Sequence, residues 1–247
     1  MKKVILNVVF GLFGVALCTP AFAQEEVISI NPVEKKVTVN KASADAWANP
    51  VNNIDDVKKT FTRYTKETLK VKMRKGENGS LVAEMATIPQ IASKRGDLHA
   101  VFTEEKGQTP EIAIVFAMGY DIFLNSQQNP SEMALLKEFT RSFLVYHYEN
   151  IYNDKIKAKE ALIKDFTKQI SSNERSVKNT NSDIASNEKK IGKQKDAIKK
   201  VALENKNVEL RNNIKSFNEK NMNFKSEIEK LQADINTLKG SLGNLRK

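Results

Sequence analysis

The stretch from Ile163 to Ile184, IKDFTKQISSNERSVKNTNSDI, places a β-branched apolar residue at every seventh position: Ile163, Ile170, Val177 and Ile184. The series reaches back to Ile156 and forward to Ile191 and Ile198. A second series follows at the same spacing, through Leu203, Leu210, Phe217, Phe224, Leu231, Leu238 and Leu245. Seven-residue spacing keeps one apolar seam on a helix that supercoils about a partner, so residues 151–247 read as a long C-terminal α-helical coiled coil.

The two seams differ in strength. Taking the Ile/Val series as position a, the residues three further on are Lys159, Phe166, Asn173, Thr180, Asn187, Gln194 and Val201. Buried amides at such sites cost stability and fix register or oligomer state. In the second segment position d is Leu or Phe throughout, with Asn207, Ile214, Asn221, Ile228, Ile235 and Leu242 at a.

The seams also differ in frame. Carried forward, the first register puts Leu203 on the outer face, where a straight helix would expose Leu203, Leu210 and Phe217. An antiparallel hairpin turning near 199–207 removes the conflict and returns Leu245 to a level opposite about Lys159. Two alternatives stay open. One is a turn at Gly192, although Ile191 and Ile198 keep one frame across it; the other is no turn, with two or three chains forming a parallel rod.

Outward from the helices lies a head. Residues 24–50 read as an N-terminal strand followed by a linker, because Lys36–Asn40 alternates around Val37 and Val39 before a run of small residues. Pro50 behind an Asn49 cap is expected to open a helix over about 51–67, whose Ile54, Val57, Phe61 and Tyr64 share one face. Leu69–Met73 and Leu81–Thr87 read as a hairpin around Gly76–Gly79, and Leu98–Glu104 and Glu111–Met118 as a second pair. The last run, almost continuously apolar, is expected at the centre of the sheet. Gly119–Pro130 is a loop with a short extended piece at Ile122–Leu124. A helix capped by Ser131 then lines one face with Leu135, Phe139, Phe143 and Tyr146. Residues 51–150 thus read as an α+β head, two helices on one face of a mainly antiparallel sheet, large enough for one core.

The first residues read as an export signal. Lys2 and Lys3 precede an apolar run from Val4 to Leu17, and Ala21-Phe22-Ala23 suits cleavage after Ala23, giving residues 1–23 as signal peptide. The run is short for a membrane span. The chain has one cysteine, Cys18, so the mature protein is expected to have no disulfide and no thiolate metal site. A periplasmic or secreted protein of the bacterial envelope follows, not an integral membrane protein.

The formal net charge of +10 is unevenly distributed. Residues 151–247 hold 22 Lys and Arg against 13 Asp and Glu, whereas residues 24–150 hold 16 against 17. The densest group is Lys189, Lys190, Lys193, Lys195, Lys199 and Lys200, interrupted only by Glu188 and Asp196 among charged residues. Such a cluster suits an anionic envelope surface, or simply a solvated helix face. With neither aromatic nor arginine residues among the lysines, stacking platforms for nucleic acid are missing.

Some landmarks carry a resemblance. Asn31-Pro32, the run Ile112–Leu124 and Asn129-Pro130 in this layout resemble a group of exported bacterial proteins with a small α+β head and a C-terminal helical hairpin, a likeness that implies architecture and no activity. The pairs Ile170/Asn173, Val177/Thr180 and Ile184/Asn187 resemble polar-core stalk segments of trimeric autotransporter adhesins, which would imply a trimer.

Chemistry is sparsely signalled. His99 and His147 have no HExxH or other metal-ligand spacing, and read as structural or, with a distant carboxylate, as an acid and base pair. Asp55 and Asp56 read as first-turn partners of a helix dipole and Glu104, followed by Glu105, as a strand end. Trp47 reads as a docking patch or as packed against the head, and Asn78-Gly79-Ser80 as a hairpin turn despite matching a glycosylation acceptor. No Gly-rich phosphate loop, GxSxG elbow or dinucleotide fingerprint occurs, and no cofactor is expected. The sequence therefore implies a non-enzymatic exported binding or scaffold protein, its head an interaction surface and its basic hairpin a spacer or docking arm. The partner is expected to be an envelope protein or an anionic envelope surface, or another copy through the coiled coil. The alternatives are an envelope enzyme or enzyme regulator, with a cleft near His99 or the loop 119–130, and a self-associating rod.

Overall fold

A computed structural model describes residues 28, 30–104, 107–119 and 122–245. The expected signal peptide, with Cys18 and the cleavage point after Ala23, lies outside the described residues. Six antiparallel strands form one sheet: β1 Val33–Val39, β2 Ala42–Pro50, β3 Arg74–Lys75, β4 Leu81–Ala86, β5 Gly96–Thr103 and β6 Glu111–Ala117. Their order across the sheet is β1-β2-β6-β5-β4-β3, with β6 in the interior between β2 and β5. Among the described residues the sheet is accompanied by three α-helices: α1 Ile54–Thr68, α2 Pro130–Lys193 and α3 Ala197–Leu245.

The expected linker is β2. Its alternating Ala44, Ala46 and Ala48 are fully buried, and alanine has little strand propensity to announce such a strand. The small side chains serve a close approach instead. Asn40 and Lys41, both with positive φ, turn β1 back onto β2, and this hairpin curls over the sheet until β1 touches β5. A second core forms there from Val39 and the β2 alanines against Ala113 and Val115 of β6. The other face of β6, Ile112, Ile114 and Phe116, belongs to the main core with Val57 and Phe61 of α1 and Leu136, Phe139 and Phe143 of α2. Phe61 meets Phe143 edge-on at 4.8 Å between ring centroids.

Helix α1 starts later than Pro50. The Asp56 N–H donates to Oδ1 of Asn53 at 3.0 Å, so Asn53 is the cap and Pro50 ends β2 instead. Its apolar face is the expected one, with Ile54, Val57, Phe61 and Tyr64 buried. The strand expected over Leu69–Met73 shrinks to Arg74–Lys75, because Leu69 caps α1, Lys70 is left-handed and the Val71 N–H turns back to the Thr65 carbonyl at 3.0 Å. A bulge interrupts β4 between Ala83 and Ala86, with Met85 at φ +50° and its N–H held by Asp97 Oδ1. Gly96 opens β5 where a Cβ would sit 2.2 Å from the Ala117 carbonyl oxygen and 2.5 Å from the Phe116 ring.

Pro130 is the first residue of α2 behind Asn129, so Ser131 is within the helix and is not its cap. The buried face runs Met133, Leu136, Phe139, Thr140 and Phe143, and the expected Leu135 is exposed. Beyond Tyr152 and Ile156, the last α2 residues in the main core, this one helix continues to Lys193, roughly 55–60 Å further at ~1.5 Å per residue.

Helix α3 returns antiparallel to α2. Asn173 Nδ2 donates to Asn221 Oδ1 at 2.8 Å, Asn187 Nδ2 to Asn207 Oδ1 at 2.9 Å, and Lys159 reaches Asp234 at 2.6 Å. Both amide pairs obey one register, which sets Ile156 level with Leu238, Ile170 with Phe224 and Ile184 with Leu210. The two sequence series therefore face each other, and Asn173 and Asn187 of the first segment meet Asn221 and Asn207 of the second, with Thr180 level with Ile214. The reversal is at Gln194–Asp196, two residues past Gly192, and the expected turn region 199–207 is helical. The misleading residue is Ile198, which keeps the frame across the turn yet is 83% exposed. Leu245 consequently returns past the level of Lys159 into the main core of the head.

Candidate functional site

At the far end of the hairpin, α2 stops where Gln194 leaves the helix for extended backbone, and α3 is started by Asp196. Oδ1 of Asp196 accepts from the N–H groups of Ile198 at 3.0 Å and Lys199 at 3.3 Å, while Gln194 Oε1 accepts from the Asp196 N–H. These three bonds define a tight tip. All six lysines singled out in the sequence gather there: Lys189, Lys190 and Lys193 on the last turns of α2, Lys195 in the turn, and Lys199 and Lys200 on the first turn of α3. Every one is exposed. Among the described residues, Lys199 alone of the six reaches a carboxylate, Asp196 at 3.8 Å, while Glu188 is engaged by Arg211 at 2.9 Å.

The lysines divide by their relation to the helix dipoles. Lys190 and Lys193 stand at the negative end of α2, where cations are favourable. Lys199 and Lys200 stand at the positive end of α3, whose first turn holds no acid, so two cations oppose the dipole. Beside them Ile198 is 83% and Val201 53% exposed. The seven-residue frame of the first series places both on the seam. What signals their exposure is that neither has a counterpart in the leucine series once the chain turns before them.

The two histidines occupy opposite faces of the sheet. His99, on β5, lies under the loop after β6, with its ring 6.4 Å from that of Phe123. His147, on α2, is buried among Phe143 and Tyr148 and lines a cleft of about 540 Å³ with Asp56, Lys59, Arg63 and Asp154. Its Nδ1 has no hydrogen-bonding partner among the described residues. Burial lowers its pKa to about 4, with nearby Asp56 acting against the shift and Arg63 adding to it. The imidazole is neutral at pH 7. Among the described residues no group of three or more His, Cys, Asp or Glu is placed to hold a metal ion.

The remaining candidates have local roles. Asp55 and Asp56 lie in the first turn of α1, and Glu104 follows β5, with Glu105 outside the described residues. Trp47 packs against the start of α2, donating from Nε1 to the Met133 carbonyl at 2.7 Å, with Lys137 4.8 Å above its ring. Asn78 and Gly79 form a tight turn with φ of +51° and +75°. A second cleft, about 840 Å³, separates the β1–β2 hairpin from residues 122–128 and is lined by polar groups including Glu34, Lys36, Asp45, Asn125 and Gln128. Among the described residues no helix is long and apolar enough to cross a membrane. No protein-family model, curated protein or solved structure matches the chain.

Proposed function

We propose that this chain is an exported, non-enzymatic binding protein of the bacterial envelope. Its head, two helices covering one face of the sheet, offers an interaction surface, and the hairpin is a rigid arm that separates this surface from a basic tip. The supporting observation is α2 itself, a single helix of 64 residues that is anchored in the head's main core and runs unbroken to the lysine cluster. A rigid arm fixes the distance between two contacts, which a flexible linker does not. The polar, open character of the cleft beside residues 122–128 suits recognition of a hydrogen-bonding partner more than enclosure of a reacting group.

The test uses photocrosslinking residues placed singly at Gln127, beside the head cleft, and at Ile198, on the tip, in the protein expressed in a bacterial envelope. The expected result is adducts from both positions, with different masses. Silence at both positions overturns the reading, and adducts only between copies of this chain overturn it in favour of a self-associating rod.

A further inference from the structure

We propose that the tip of the hairpin is a bilayer-docking site, in which the lysines engage anionic phospholipid headgroups while Ile198 and Val201 enter the boundary with the acyl chains. This deepens the proposed function and rests on the reading of the hairpin as a docking arm. Three observations converge on one end of the molecule. Residues 188–200 carry six lysines against Glu188 and Asp196, all six exposed. Two of the lysines occupy the first turn of α3, where the helix dipole disfavours them, and of the two only Lys199 has a carboxylate in reach, Asp196 at 3.8 Å. Ile198 is 83% exposed within the same turn, and Val201 follows three residues later on the same face, 53% exposed.

A basic cluster around an exposed β-branched pair has the composition of an interfacial contact: cations at headgroup level and a small apolar wedge below it. A soluble polyanion would use the lysines and leave Ile198 in water. A protein groove would use Ile198 and Val201 but has no need of cations on both helices. The bilayer uses both, and the tip is the one part of a long hairpin that meets a flat surface with the shaft standing upright. Asp196 and Gln194 hold the turn closed without covering the apolar pair, so the site requires no rearrangement.

The experiment is vesicle co-sedimentation of the chain from Gln24 to Lys247, which omits the apolar Val4–Leu17 run that would itself enter lipid. Phosphatidylglycerol-containing vesicles are compared with phosphatidylcholine vesicles. Binding is expected to the anionic vesicles only and to weaken as salt rises. Lys199→Gln with Lys200→Gln is expected to reduce affinity about tenfold or more, since a lysine near such a surface contributes about fivefold. Ile198→Ser with Val201→Ser is expected to reduce it by about tenfold at every salt concentration, leaving the salt slope unchanged. All four side chains are exposed, so far-ultraviolet circular dichroism should match the parent.

Equal binding to both vesicle types, or no binding to either, overturns the proposal. So does indifference to the Ile198 and Val201 changes, which would assign the lysines to a soluble anion such as an envelope polymer. Protein adducts at Ile198 in the photocrosslinking test, alongside failure on vesicles, would leave the arm reading standing and remove the bilayer from it.

Discussion

The head and the arm solve the same problem by opposite means. In the head, residues distant in sequence form one closed core: Phe61 from α1, Phe116 from β6 and Phe143 from α2 are all fully buried. In the arm each layer is one residue from α2 against one from α3, and the seam buries Asn187 and Asn207 as well as Ile170 and Ile184. A two-helix stack has no interior beyond its seam, so its apolar layers supply adhesion but little discrimination between neighbouring registers. The amide pairs supply that. A slip of one heptad would set Asn173 against Ile214 or Ile228 and break its amide pair with Asn221, which would then face Phe166 or Thr180. The head is therefore specified by shape and the arm by two hydrogen bonds, Asn173 to Asn221 and Asn187 to Asn207.

The largest effect should come from breaking the head. Phe61→Ala removes a fully buried ring from its edge-on contact with Phe143 and is expected to cost ~3–5 kcal/mol. Denaturant unfolding followed by Tyr and Trp fluorescence checks it; a loss below ~1 kcal/mol would mean that the α1 contact is not part of the core. Next comes pH. His147 takes up its proton at about 4 in the folded chain and at 6.5 when unfolded, so the unfolded state binds more protons between those values. Stability should fall as pH drops through 6.5 and level off near 4, by at most roughly 3 kcal/mol. His147→Phe should flatten that part of the thermal unfolding profile, and an unchanged pH dependence would locate the proton elsewhere.

The arm should respond differently. Asn187→Leu alone leaves Asn207 buried without its amide partner and is expected to destabilise by ~1–3 kcal/mol. Replacing both Asn187 and Asn207 by Leu should restore or exceed the original stability while loosening the register. A thermal double-mutant cycle measures the first effect and cysteine cross-linking across neighbouring levels the second; an additive cycle would show that the pair does not act as a unit. The smallest effect is expected at Lys159 and Asp234, a half-exposed ion pair at 2.6 Å. Asp234→Asn should cost no more than about 1 kcal/mol.

The arm was the more legible half. The heptad spacing of Ile156–Ile191 and Leu203–Leu245 announces two helices, and their frame mismatch announces a turn. What it did not locate was the turn, because Ile198 sits in frame by coincidence and Asp196, a short polar residue two places before it, is the actual cap. The partner of each polar layer was also readable in retrospect, since Asn173 and Asn187 are two heptads apart and so are Asn207 and Asn221. In the head, α1 and β6 followed from periodicity, while β2 did not, because an alanine strand suits close packing between β1 and β6 and lacks the side chains that mark strands. The lysine cluster was visible as composition. Its position at a tip, and the exposure of Ile198 and Val201 beside it, depend on where the chain turns and so on the tertiary fold.

The antiparallel register carries the lysines to the far end and Leu245 back to the head. Cys18 is the single cysteine of the chain, so paired spin labels introduced at positions 159 and 234 of the chain from Gln24 report one distance. With labelled protein diluted in unlabelled protein, a separation on the order of 10–20 Å is expected, because the two side chains form an ion pair across the seam. A separation beyond ~50 Å, approaching the ~110 Å that 75 residues of continuous helix would span, would contradict the antiparallel register.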